Sequence, residues 1–171
     1  MGDLSKLIRD VPDFPKPGII FKDITTLLLD KDGVVQVMDE LAAPFVDKQI
    51  DVVLGVESRG FIFASTLAYK LGAGLAIVRK PGKLPYETVE ETYELEYGTD
   101  TLQMHVDAVK PGQKVLIVDD LMATGGTVEA VTRLVEKVGG EIASLAFVIE
   151  LDFLKGRDKL SKYNIHTLIH Y

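Results

Sequence analysis

Asp119 and Asp120 stand side by side between an apolar run, Val115-Leu116-Ile117-Val118, and a polar stretch, Ala123-Thr124-Gly125-Gly126-Thr127. Ionised carboxylates only accept hydrogen bonds, so this pair asks for a ligand with neighbouring donors, such as the vicinal hydroxyls of a sugar. The stretch that follows asks for the opposite charge relation. Its small residues let successive backbone N–H groups turn into one concavity, and residues 128 to 138 carry helical apolar spacing. A concavity at a helix N-terminus favours an anion, above all a phosphate, through unpaired donors and the helix dipole. A sugar phosphate meets both demands. The loop would take the 5-phosphate while the two acids hold the 2- and 3-hydroxyls of a ribose. To place them, the aliphatic run must be a strand buried on both faces of a parallel sheet. The acids then stand at its carboxyl end, where open α/β sheets bind their ligands.

Gly55-Val56-Glu57-Ser58-Arg59-Gly60-Phe61 repeats the strand, short loop and helix order. It brings an arginine and backbone donors to the same edge of the sheet. An arginine there serves either a surface ion pair or an anionic ligand, and Arg79-Lys80 and Lys83 add charge nearby. The three histidines, His105, His166 and His170, lack the spacing of a helical metal site. No Walker lysine loop or dinucleotide glycine motif is present.

A chain of 171 residues fits one domain, and 47% hydrophobic with 26% charged residues is the composition of a folded globule. A net charge of −7 disfavours non-specific nucleic-acid binding, so an anionic substrate must be caught by local donors. The absence of cysteine excludes disulfides, thiolate metal sites and a thiol nucleophile, which suits the cytoplasm. The first residues are too polar for a signal peptide, and no apolar run reaches membrane length.

Periodicity predicts a short leading helix and, after the prolines of Val11–Gly18, an extended Ile19–Asp23. A helix over 33–48 follows, with Asp32 as N-cap and Val34, Val37, Met38, Leu41 and Phe45 on one face. Strands are expected at 51–56, 75–79, 114–118 and 142–149, helices at 61–71 and 128–138, and a last edge strand at 165–169. Alternating segments of this kind give a mainly parallel central sheet flanked by helices. Residues 80–112 break the alternation. Their turn residues and two strand-like stretches, 88–97 and 101–106, predict a β-flap, mobile and with few apolar anchors, that closes as a lid.

The run from Asp119 to Thr127 resembles the phosphoribosyl-pyrophosphate motif of type I phosphoribosyltransferases. Asp13-Phe14-Pro15-Lys16-Pro17-Gly18-Ile19-Ile20-Phe21-Lys22-Asp23-Ile24 is similar to the N-terminal signature of the adenine branch of that family. Glu57–Phe61, Arg79–Pro85 and Leu95-Glu96-Tyr97-Gly98 resemble the same branch in the same order. The resemblance implies the type I fold as a single domain over 1–171, with an N-terminal base-binding hood at 1–30 and the flap at 80–112. It implies transfer of the phosphoribosyl group to adenine, giving AMP and pyrophosphate in purine salvage. Ala123, Thr124, Gly125, Gly126 and Thr127 would bind the 5-phosphate, and Asp119 and Asp120 the ribose. Glu57, Ser58, Arg59, Arg79 and Lys83 would serve the pyrophosphate, with a cis peptide expected at Glu57-Ser58. Phe21 would stack on adenine while the backbone of Ile20 and Lys22 reads its edge, and Glu96 would take the proton. Mg2+ would be held mainly by substrate oxygens and water, with no dedicated protein metal site. A homodimer is implied as well, with no nucleic-acid or membrane partner. A phosphoribosyltransferase for another base, or a phosphoribosyl-pyrophosphate-sensing regulator, remain the alternatives.

Overall fold

The structure is a computed structural model and describes residues 2–94 and 98–171. Two compact units divide the chain, Met1–Glu40 and Leu41–Tyr171. The first unit extends beyond residue 30, where the hood is expected to end.

In the first unit a 3-10 turn, Leu4–Leu7, leads into the antiparallel pair β1 (Arg9–Pro12) and β2 (Ile20–Asp23). Prolines at 12, 15 and 17 keep the connection out of helix, and Phe14-Pro15 is a cis bond. Arg9 donates to Asp23 Oδ2 through Nη2 at 2.6 Å and Nε at 3.0 Å, and Lys22 Nζ reaches Asp10 at 2.7 Å, clamping two adjacent rungs at the end of the pair away from the connection. Thr25 N donates to Asp23 Oδ1 at 2.9 Å and opens α1 (Thr25–Leu29). Helix α2 spans Lys31–Ala42. Asp30, not Asp32, accepts from its first turn, at 2.7 Å from Gly33 N, because the helix starts two residues earlier than expected. It also stops short of 48. Pro44 lacks the N–H that would continue the ladder, and the chain passes into a 3-10 turn, Ala43–Phe45.

In the second unit β3 (Val52–Val56), α3 (Gly60–Leu71) and β4 (Gly74–Val78) form a parallel βαβ unit. The flap follows as β5 (Thr88–Glu94) and β6 (Thr99–His105), and then β7 (Lys114–Met122), α4 (Gly126–Lys137) and β8 (Glu141–Glu150). A 3-10 turn, the one-turn helix α5 (Gly156–Lys159) and the edge strand β9 (Ile165–His170) complete it. The sheet order is β4-β3-β7-β8-β9, with every pairing parallel. Counted along the sheet's own strands this is the doubly wound order 2-1-3-4-5, whose direction of growth reverses between β3 and β7. Ligands of such sheets bind outside the carboxyl ends of the two strands at that reversal. Those strands carry the Glu57 loop and the Asp119-Asp120 pair.

The flap is better anchored than expected. β5 and β6 pair antiparallel from Thr88↔His105 to Glu94↔Thr99, and Arg79 and Gln103 exchange backbone bonds of 2.9 and 2.8 Å. Tyr93, Leu102 and Met104 turn into the core shared with β7 and α4. Full burial of a Leu or Met side chain is worth about 1.5–3 kcal/mol. Leu102 and Met104, alternating with the polar Thr101 and Gln103 on β6, supply anchors that the flap's overall polarity conceals.

Candidate active site

β7 continues through both acids to Met122, past the strand end expected at Val118. β3 pairs with it only as far as Gly55↔Val118, but β8 keeps pairing as far as Met122↔Glu150. The acids therefore stand on a strand supported from one side and open toward the switch point on the other. A cavity of about 200 Å³ lies there, lined by Asp119 and the loop from Leu121 to Val128. Gly125 takes φ +79°, a conformation suited to glycine, and passes directly into α4. Its N-cap, Gly125, has no side chain with which to accept from the first N–H groups of the helix.

Gly60 opens α3 hard against β7. A Cβ there would lie 2.8 Å from Val118 O and 2.9 Å from Asp119 Oδ1, closer than side-chain carbons pack. That approach brings Arg59 Nε to 3.0 Å from Asp120 Oδ2. Asp120 is buried, and Oδ2 forms this ion pair without accepting a hydrogen bond. Asp119 keeps partial exposure toward the cavity. Burial, and then the charge of Asp120, push the Asp119 carboxyl well above the usual range. Burial raises Asp120 as well, with the Arg59 guanidinium pulling against it.

Glu57 gathers the cations. Its carboxylate accepts from Lys83 Nζ at 2.5 Å, Lys80 N at 2.6 Å and Arg79 Nη2 at 3.3 Å. Burial opposes its charge, but these three donors prevail and hold its pKa below the ordinary value. The Glu57-Ser58 peptide is cis. Lys80 pairs through Nζ with Asp100, whose Oδ2 also accepts from Tyr93 OH at 3.3 Å. Thr127 Oγ1 lies 3.4 Å from the same tyrosine hydroxyl. The turn end of the flap thus links the Glu57 loop, through Lys80, to Thr127.

The chain matches the phosphoribosyl transferase domain family over residues 25–168. It belongs to the phosphoribosyltransferase family. The adenine phosphoribosyltransferase of Acidobacterium capsulatum is 58% identical over 168 residues, covering 98% of this chain and 93% of that protein. That of Thermotoga petrophila is 55% identical over 169 residues, covering 99% of each. Among solved structures, adenine phosphoribosyltransferase from Thermoanaerobacter pseudethanolicus superposes with a TM-score of 0.95 at 51% identity, covering 98% of both chains. The Saccharomyces cerevisiae enzyme, solved with an imino-altritol bisphosphate and adenine, gives 0.90 at 41% identity and 96% coverage of both.

Within this phosphoribosyltransferase fold, Asp119 and Ala123, Thr124, Gly125, Gly126 and Thr127 share one cavity wall. Asp120 joins Arg59, and Glu57 joins Arg79 and Lys83. Ser58 sits in the loop between these groups. Ile20, Phe21 and Lys22 all lie on β2 of the first unit, where Phe21 meets the Phe14 ring edge-on at 5.2 Å. Pro12, opposite Ile20, has no N–H to offer its carbonyl. Glu96 lies outside the described residues. Sequence reasoning missed Gly60, although a glycine directly after Arg59 at a strand-to-helix turn signalled a close approach. It also missed the Tyr93–Asp100–Lys80 contacts, for which a lone tyrosine on an acidic strand gave no signal.

Proposed function

We propose that the chain transfers the 5-phosphoribosyl group of phosphoribosyl pyrophosphate to adenine, forming AMP and releasing pyrophosphate. The observation that carries this reading is the meeting of an acid-lined cavity at the uncapped end of α4 with the cation cluster on Glu57, at one switch point. The loop 123–127 takes the 5-phosphate on backbone donors, and Asp119 accepts from the ribose hydroxyls. Asp120 fixes Arg59 beside them. Pyrophosphate, a stronger acceptor than one carboxylate, draws Lys83 and Arg79 from Glu57, and the Ser58 loop contributes backbone donors. The C1–oxygen bond breaks with oxocarbenium character as an adenine ring nitrogen bonds to C1. Glu96 takes the proton that adenine gives up.

Adenine is held on β2, with Phe21 against its face and the Ile20 and Lys22 backbone at its edge. An N6 donor beside an N1 acceptor suits one carbonyl and one N–H, whereas guanine would leave the same groups mispaired. The adenine bound in the yeast relative supports adenine as the base.

Mg2+ fits this site as a substrate-borne ion. Asp119 and Asp120 offer the hard oxygen donors it takes, but with Asp120 engaged by Arg59 they are too few to complete six-fold coordination. When bound through substrate oxygens and water, the ion neutralises charge on the leaving pyrophosphate. The one three-ligand grouping among the described residues, Glu150, Asp152 and His170, is elsewhere engaged, with Glu150 paired to Arg157.

A homodimer belongs to the same reading, supported by apolar side chains exposed on α3 and edge strand β4. So does cytoplasmic residence without nucleic-acid or membrane partners, supported by the acidic charge and the lack of cysteine. No helix among the described residues is long and apolar enough to cross a membrane. The decisive assay follows nucleotide formation from phosphoribosyl pyrophosphate with adenine, guanine, hypoxanthine and xanthine in parallel. AMP formation should dominate. Equal or greater turnover of another base overturns the assignment.

A further inference from the structure

Packed against the 5-phosphate loop, and not part of the cavity lining, lies a segment that the reaction itself does not call on. Gly156 is buried, and its backbone is pressed into the loop. A Cβ on Gly156 would overlap the Ala123 carbonyl oxygen and stand 3.2 Å from Gly125 N. Reciprocally, a Cβ on Gly125 would stand 2.7 Å from Gly156 O. Both obstacles are backbone, which cannot swing aside as a side chain can. The two glycines therefore define a contact with no spare room.

The segment holding Gly156 is itself tied to the sheet. Arg157 donates to both oxygens of the buried Glu150 carboxylate, at 2.7 Å each, and Thr167 Oγ1 adds a third bond to it at 3.0 Å. Leu151 N donates to Met122 O at 3.0 Å, and Asp152 N to Tyr171 O at 2.9 Å. Lys155 adopts φ +53°, costly for a lysine, to turn the chain into Gly156. Leu160 anchors the far end in the core. Bidentate guanidinium–carboxylate pairs fix direction as well as distance, so Arg157 sets where the Gly156 backbone lies.

We propose that Gly156, held by the Arg157–Glu150 pair, is a positioning residue that shapes loop 123–127 for the 5-phosphate. The proposal rests on the reading that this loop binds that phosphate. A loop of backbone donors has no side chains with which to adapt, so its curvature decides how many N–H groups converge on one anion. The brace supplies that curvature through its backbone contact with the loop. A misplacement of about 1 Å in a binding element can cost about 10²-fold in kcat/KM.

The test compares two fragments of the substrate, ribose 5-phosphate and pyrophosphate, by calorimetry on wild type and Gly156→Ala. Ribose 5-phosphate should bind about 10-fold more weakly to the variant, the worth of one lost hydrogen bond to a charged group. Pyrophosphate should bind as before, because its cations sit on Glu57 rather than on the loop. In turnover, KM for phosphoribosyl pyrophosphate should rise while KM for adenine stays. If Gly156→Ala does not fold, Arg157→Lys decides: it keeps the charge, loosens the bidentate hold, and should weaken ribose 5-phosphate alone. Equal weakening of both fragments, or of neither, overturns the brace. Amide NMR on wild type separates this from failure of the underlying reading. Ribose 5-phosphate should shift the amides of residues 124–127, and unmoved amides overturn the loop assignment and the brace with it.

Discussion

Asp119 carries a cost in the empty protein that its ligand would offset. Its folded pKa lies above the unfolded value, from burial and then from Asp120. Folding thus favours its protonated form, a contribution present at low pH and lost as pH rises through the folded pKa. Once ionised, the carboxylate is a destabilising group held where ribose hydroxyls can pair with it. Asp119→Asn removes the repulsion and most of the desolvation cost. Thermal unfolding should show a melting temperature equal to or above that of wild type. KM for phosphoribosyl pyrophosphate should rise about 10- to 100-fold, the worth of a hydrogen bond to a charged group. A variant that loses stability and affinity together would return Asp119 to a structural role. The acid of the flap, Glu96, is tested on turnover instead. Glu96→Gln retains size but cannot accept a proton, and kcat should fall about 10²- to 10⁴-fold with little change in adenine affinity. Turnover near wild type would hand the proton to water or substrate phosphate.

Elements place these residues, and their bounds follow neighbours more than their own composition. Val52–Val56 and the aliphatic start of β7 read as strands because residues buried on both faces of a parallel sheet need no alternation. The end of β7 was not readable, because Asp119 to Met122 are held by pairing with β8 rather than by any preference of their own. Asp30 displaced Asp32 as the cap of α2 for a related reason: two acids two residues apart offer the same chemistry, and helix register selects between them. The motif residues of the site were legible because each loop follows a recognisable strand. Gly156 was not, since its reason for being glycine is a backbone far away in sequence. The flap shows how an element's average polarity misleads. Leu102 and Met104 lie at 1% and 0% exposure, two residues apart on one face of β6. Their amides should therefore exchange slowly in the ligand-free protein, unlike those of a wholly mobile lid. Fast exchange at both positions without ligand, becoming slow when substrate binds, would restore the mobile reading for the entire flap.

At the scale of the whole molecule, an acidic chain of net charge −7 must collect a strongly anionic substrate. Arg59, Arg79, Lys80 and Lys83 are concentrated at one edge of the sheet, where neighbouring carboxylates hold them oriented. The opposite demand arises on α3, where no charge is concentrated. Ile62, Ser65, Thr66 and Tyr69 follow the i, i+3, i+4, i+7 spacing of one helix face, with Tyr69 at 88% and Ile62 at 42% exposure. Leu75 adds an apolar side chain at 50% exposure on β4, the edge of a parallel sheet, an architecture that ordinarily covers its faces. A second copy of the chain, related by a two-fold axis, would cover this face with itself. Sedimentation of wild type should then give twice the chain mass of 18.8 kDa. Ile62→Lys combined with Tyr69→Glu should give the single chain, because two charges cannot be buried unpaired against their own copies. Where each subunit's loops border the other's site, turnover should fall with dissociation and recover as protein concentration rises. Wild type that sediments as a single chain at assay concentration while retaining full activity would make α3's outer face an ordinary surface and the site complete within one chain.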